Sequence, residues 1–204
     1  MTVGDVAIYR RNWTPEQVLR RVDSLAAAGL ELGHQRSGRI TALSGEWETM
    51  GCQVEMTRES LLAAMAGLGD KQFAFQYWVA DDEDADVTCT LQRIGDEVVM
   101  EDFGLDGLGG ETWKAGQDKV IRLLLKEFLA TGPDAVGLVV DRWGTSFETP
   151  ISESVTGAAI PFLAVPELLV LRPEIAQQHP ELGRPTPFHG FAAYDRDDIL
   201  DLVR

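Results

Sequence analysis

From residue 72 to residue 103 the apolar side chains recur at every second position, and this alternation constrains the fold more than any other feature of the chain. Phe73, Phe75, Tyr77 and Val79 share one face of a first segment, Gln72 to Ala80. In Val87 to Arg93, the residues Val87, Cys89 and Leu91 oppose Thr88, Thr90 and Gln92. Gly95-Asp96 then turns the chain into a third segment, Glu97 to Phe103. Period-two patterning belongs to strands whose side chains point alternately to the two faces of a sheet, and short turns make such neighbours antiparallel. The segments therefore predict a meander with one buried face.

Around this meander the periodicity changes to that of helices. Thr14 caps a helix with Pro15 at its first position and Gln17 three residues after the cap, and Gly29 ends it. Val18, Leu19, Val22, Leu25 and Ala26 form its apolar stripe. A second helix, Arg58 to Ala66, follows Thr57, and the longest, Glu111 to Ala130, carries Trp113, Gln117, Val120, Ile121, Leu124 and Phe128 before Gly132-Pro133. Val6 to Tyr9 and Glu46 to Met56 are strand-like, and Ala135 to Val140 is apolar on both faces, as a central strand is. Eight of the nine prolines lie at or beyond Pro133, so Arg142 to Pro161 and Arg172 to His189 are expected as long loops or short turns. They enclose a strand-like piece, Phe162 to Leu171, in which Pro166 marks a bulge or an edge. Phe191 to Tyr194 is a last strand candidate and Arg196 to Val203 a short closing helix. Strands and helices are mixed without strict alternation. The expectation is a single α+β domain, residues 1–204, with a largely antiparallel sheet and helices mainly on one face. A subdivision near residue 133 is the alternative.

At 204 residues, with 45% hydrophobic and 25% charged residues, the chain is long enough to bury about 70% of its unfolded surface. Cys52 and Cys89 each sit in a strand-like stretch without metal-ligand spacing and read as small buried hydrophobes. No signal-peptide pattern opens the chain, and no apolar run approaches the ~18 residues that span a bilayer, so the cytoplasm is the default compartment. No cofactor motif is present, and His34, His179 and His189 share no metal-ligand spacing.

Charge is where the chain departs from the ordinary. Thirty-three acidic residues against 18 basic ones give a net −15, which disfavours free nucleic acid and anionic membranes. Residues 81–111 hold eleven carboxylates and one arginine, Arg93, for −10 of that total, whereas residues 1–40 hold six arginines against four acids. Asp82, Asp84 and Asp86 have the spacing of the first ligands of a calcium loop, but Val87 and Arg93 occupy its glycine and glutamate positions. Gly104, Gly107, Gly109 and Gly110 precede a helix as a phosphate loop would, but Glu111 stands where such a loop needs lysine.

Two classes of function follow. The first is a non-enzymatic, immunity-like or chaperone-like protein that docks a basic protein partner through Asp81, Asp82, Glu83, Asp84, Asp86, Glu101 and Asp102, since clustered same-sign charge steers association. The bland alternative is a solvated edge whose charges prevent strand pairing. The second class is a small-molecule enzyme or ligand-binding domain. Asp141-Arg142-Trp143 follows the most apolar strand, where Asp141 could act as base, Arg142 as anion clamp and Trp143 as stacking wall. Glu148 and His189 are the further catalytic candidates and Tyr194 a further ligand contact. A homo-oligomer without a ligand stays open as a third option.

Overall fold

In the computed structural model, residues 4–44, 52–106, 108, 113–145 and 150–203 are described. Strand β1 (Asp5–Arg10) leads into helix α1 (Pro15–Ala28), followed by β2 (Leu30–Glu31), β3 (Ile40–Ser44) and β4 (Cys52–Met56). Helix α2 (Arg58–Ala66) precedes the meander β5 (Phe73–Val79), β6 (Asp86–Ile94) and β7 (Val98–Gly104). Helix α3 (Trp113–Ala130) and β8 (Ala135–Asp141) come next. The chain ends with α4 (Ile151–Val155), β9 (Leu168–Leu171), α5 (Pro173–Ala176), β10 (Thr186–Phe188), β11 (Phe191–Asp195) and a closing 3-10 turn, Ile199–Val203.

The strands form one sheet in the order β10-β11-β9-β8-β1-β7-β6-β5-β3-β4, with β2 also paired to β5, and every pairing is antiparallel. The fold is α+β. The meander lies as its alternation requires, with Phe75 opposite Cys89 and Cys89 opposite Phe103. Strand β8 is buried along its whole length, between β1 and β9.

Helix ends form where the capping residues put them. The Thr14 hydroxyl accepts the Gln17 N–H at 3.3 Å, and Gly29 closes α1 with φ +107° while its N–H returns to Ala26 and Leu25. Thr57 likewise accepts from the Ser60 N–H at 3.2 Å. Helices α1 and α3 cover the first face of the sheet, where Val18, Val22, Leu25, Ile121, Leu124 and Phe128 join Val6, Ile8, Leu91 and Leu138 in the main core. On the second face α4, α5 and Phe162 cover the strands around β8, meeting Ala7, Tyr9, Val139, Leu169 and Tyr194.

Several expectations need correction. Thr186–Phe188 is a strand in a stretch expected as loop or turn, Leu30–Glu31 and Ile40–Ser44 are strands that no expectation covered, and α4 and α5 are single helical turns; short elements carry too few residues to display a period. Of Phe162 to Leu171 only the last four residues pair, because Pro166 has no N–H for a ladder. Cys52 is exposed, since β4 is an edge strand, whereas Cys89 is buried as expected. Residues 46–51 of the expected strand, and Glu111 at the start of the expected helix, lie outside the described residues.

Glycine at position 137 is what lets α4 sit down on β8. A Cβ there would meet Val155 Cγ1 at 2.5 Å and the Val170 carbonyl oxygen at 3.0 Å. Gly137→Ala is thus expected to cost roughly 1–3 kcal/mol, as overpacking typically does. Gly104→Ala, whose Cβ would meet nothing nearer than 3.7 Å, is the control in another strand. Equal denaturation midpoints for the two variants would show that α4 does not rest on Gly137.

Candidate functional site

The carboxylates that form one run in the sequence are distributed by the sheet into three environments. The first is the β5–β6 hairpin tip. Its backbone is closed by Val79 N–H to Ala85 O (3.0 Å), Asp82 N–H to Val79 O (3.1 Å) and Ala85 N–H to Asp82 O (3.2 Å). Two more bonds tie it to the helical layer: Ala80 N–H donates to Gly29 O at 2.8 Å, and Lys119 Nζ donates to Ala80 O at 2.9 Å. Asp81 takes a left-handed conformation, φ +68°, which Asp tolerates better than most residues. Asp81, Asp82 and Asp84 are exposed, and Glu83 is paired with Arg36 from the turn after β2. A hydrogen-bonded prong therefore presents three exposed carboxylates and a fourth that is paired with Arg36. Asp86, at its base, accepts Gln76 Nε2 at 3.0 Å, and burial raises its pKa.

The second environment is internal. Glu101 points to the first face beneath α1, only 1% exposed, where it pairs with Arg10 and, at 2.9 Å, with Arg21. Arg21 continues to Glu127 on α3 at 3.0 Å. Burial alone would raise the Glu101 pKa, but the two guanidinium groups hold it below the usual carboxylate value. Glu101 is therefore structural and does not belong to a partner-facing surface. Its neighbour Asp102 points to the opposite face, because successive residues of a strand must.

On that second face lies the third environment. Asp102 on β7 meets Asp5 on β1, with Asp141 on β8 and Glu167 near enough to raise the Asp5 pKa further. Burial is the largest cause, the neighbouring anions add to it, and Asp5 is pushed up to about 8. Burial likewise raises Asp102, to about 6, against the opposing hydrogen bond from Asp5. Asp5, the more strongly raised of the two, holds its proton to the higher pH, and the protons leave in two steps that belong to the pair. Asp5 and Glu167 escaped the reading of the sequence. The alternation of Asp5 with Ala7 and Tyr9 assigns it a face, but strand order alone brings it to Asp102 and Asp141.

The residues of the alternative site do not converge. Asp141 is buried and accepts the N–H (3.0 Å) and hydroxyl (3.2 Å) of Thr145. The Arg142 side chain leaves for Asp118 on α3 at 2.5 Å, and its backbone N–H donates to Glu167 at 2.9 Å. Trp143 is half exposed and Tyr194 is buried in the second core. His189 sits in the β10–β11 turn beside a cleft that includes Pro133 and Arg172, at the start of β8, whereas Asp141 ends that strand. Seven extended residues separate the two by roughly 20 Å. Glu148 lies outside the described residues. No group of three His, Cys, Asp or Glu residues with a geometry fit to hold a metal ion occurs among the described residues, and no helix among them is long and apolar enough to cross a membrane.

No protein family is matched by the chain, and no curated protein matches it. Among solved structures, the chain is similar to the Pseudomonas aeruginosa T6SS protein PA0821, at 14% identity and a TM-score of 0.39. That likeness covers 84% of this chain, which spans only 56% of that protein.

Proposed function

We propose that the chain is a binding protein, immunity-like or chaperone-like in action, that docks a basic protein partner on the hairpin tip of Asp81, Asp82, Glu83 and Asp84. The observation that carries this reading is the prong itself: four consecutive carboxylates, three of them exposed and one paired with Arg36, on a backbone held by five hydrogen bonds. A flexible acidic loop would lose ordering entropy on binding, whereas a fixed one does not, and its field steers a cationic partner before contact. Asp86 and Asp102 extend the acidic character along the second face, but both are partly buried. They set local potential rather than make first contact.

The test is capture from the source cell at graded salt, with the wild type and the Asp82→Lys/Asp84→Lys double variant as baits. Both positions are exposed, so the variant keeps the fold. A basic protein retained by the wild type should elute as salt rises, and its association with the variant should be at least ~10-fold slower with a flatter salt dependence. Identical capture by both baits would sink the reading, as would the absence of any salt-sensitive basic partner. The small-molecule alternative is not favoured, because His189 and Asp141 stand at opposite ends of β8, the Arg142 side chain is drawn to Asp118, and Tyr194 is buried in the second core.

A further inference from the structure

We propose that the cleft between α1 and the C-terminal end of α3 is a binding site for a small tetrahedral oxyanion of the phosphate or sulfate class. On a chain of net charge −15, this one cavity is lined by four arginines: Arg10 and Arg11 where β1 ends, and Arg20 and Arg21 on α1. Its volume is about 220 Å³. With a water's share of liquid volume near ~30 Å³, a small anion and a few waters fit there.

The ion-pair network leaves part of these guanidinium groups unused. Arg10 and Arg21 bind Glu101 through Nε, and Arg21 binds Glu127 through Nη1. Both side chains are more than nine-tenths buried, 8% and 5% exposed, and the Nη2 of each has no hydrogen-bond partner. Arg11 Nε is also buried without a partner. Unmade hydrogen bonds on buried cationic groups are costly, so three of them on residues lining one cavity need an acceptor.

The acids of the cleft do not supply it. Glu127 is engaged by Arg21 and, at 2.7 Å, by the Ser24 hydroxyl. Asp134 accepts Asn12 Nδ2 at 2.6 Å and Gln17 Nε2 at 3.1 Å. The carbonyls that end α3 would repel an anion, but Thr131 occupies those of Glu127 and Phe128. Glu101, Glu127 and Asp134, with Glu16 beside Arg20, balance the four guanidinium groups in charge, so what is left over is hydrogen-bonding capacity. A carboxylate is planar and is satisfied by a single guanidinium fork, whereas the unused donors come from three side chains on two elements. An acceptor with oxygens in several directions answers that arrangement better.

The test compares thermal unfolding in inorganic phosphate, acetate and chloride at matched ionic strength, for the wild type and for Arg11→Gln/Arg20→Gln. These substitutions lie outside the Arg10–Glu101–Arg21 network, and the single variant Arg20→Gln, at an exposed helical position, serves if the double variant folds poorly. Phosphate at ~10 mM should raise the wild-type midpoint above its value in either other salt, as a ligand of the native state does. The variant should bind phosphate at least ~10-fold more weakly by calorimetry, since charge-assisted bonds are removed. Phosphate no better than chloride overturns the proposal, and so does an equal gain in the variant, which would reflect the general stabilisation that excluded salts give. Acetate as effective as phosphate overturns the tetrahedral assignment.

Discussion

Replacing Glu101 by Gln should destabilise the protein by about 3–5 kcal/mol, the range found when one member of a buried ion pair is removed. Gln keeps the shape, so the loss is electrostatic. Arg10 and Arg21 would then face each other without their shared counter-ion, one 8% and the other 5% exposed. Burial already pushes the Arg10 pKa down to about 10 against the opposing pull of Glu101, so removing the carboxylate leaves this group the least able to remain charged. Arg21 keeps Glu127 and lies 5.9 Å from the centre of the Phe103 ring, which eases its part of the cost. Denaturant midpoints measure the effect, and a second substitution identifies its cause. If the cost is uncompensated charge, Glu101→Gln combined with Arg10→Met should recover part of the loss. Additive destabilisation by the two changes, or a change below ~1 kcal/mol for Glu101→Gln alone, would show that the network does not hold α1 to the sheet.

Glu101 also marks the limit of what the sequence disclosed. The meander, the caps at Thr14 and Thr57 and the central position of β8 were legible, because each rests on periodicity or on a local hydrogen bond. The same periodicity separates Glu101 from Asp102. Counting both in one acidic surface treated charge as a property of a segment, whereas alternation sends one carboxylate under α1 and the other to the second face. Long-range pairing was out of reach. Arg10 and Arg21 stand 91 and 80 residues from the glutamate they neutralise, and Asp5 finds Asp102 only because β1 is inserted between β7 and β8. Conversely, Asp141 and His189, candidates for one catalytic site by residue type alone, stand at opposite ends of β8, which only the strand directions determine.

The Asp5–Asp102 pair carries the second large effect, a stability that falls as pH rises from about 4 to about 8. An unfolded Asp loses its proton near ~3.9, whereas Asp5 in the fold holds one to about 8. Between those values the native state binds the extra proton, so the free energy of unfolding decreases with increasing pH and levels off above the folded pKa. The carboxyls held below their usual values, Glu101 among them, act in the opposite sense and only at the acid end, where they are protonated. Each pKa unit is worth ~1.4 kcal/mol, and half of the displacement of Asp5 already amounts to about 2–3 kcal/mol. The general repulsion within a chain of −15 has the same sign, so the wild-type curve alone does not isolate the pair. Asp5→Asn does. Its amide keeps the shape of the protonated acid but has no charge to acquire, and its stability should match the wild type near pH 4 and exceed it at pH 8. For a domain of this length the gain corresponds to roughly 5–10 °C in midpoint. Parallel curves for the two proteins would mean that Asp5 ionises in the fold as it does in the unfolded chain, and that the proton shared with Asp102 does not exist.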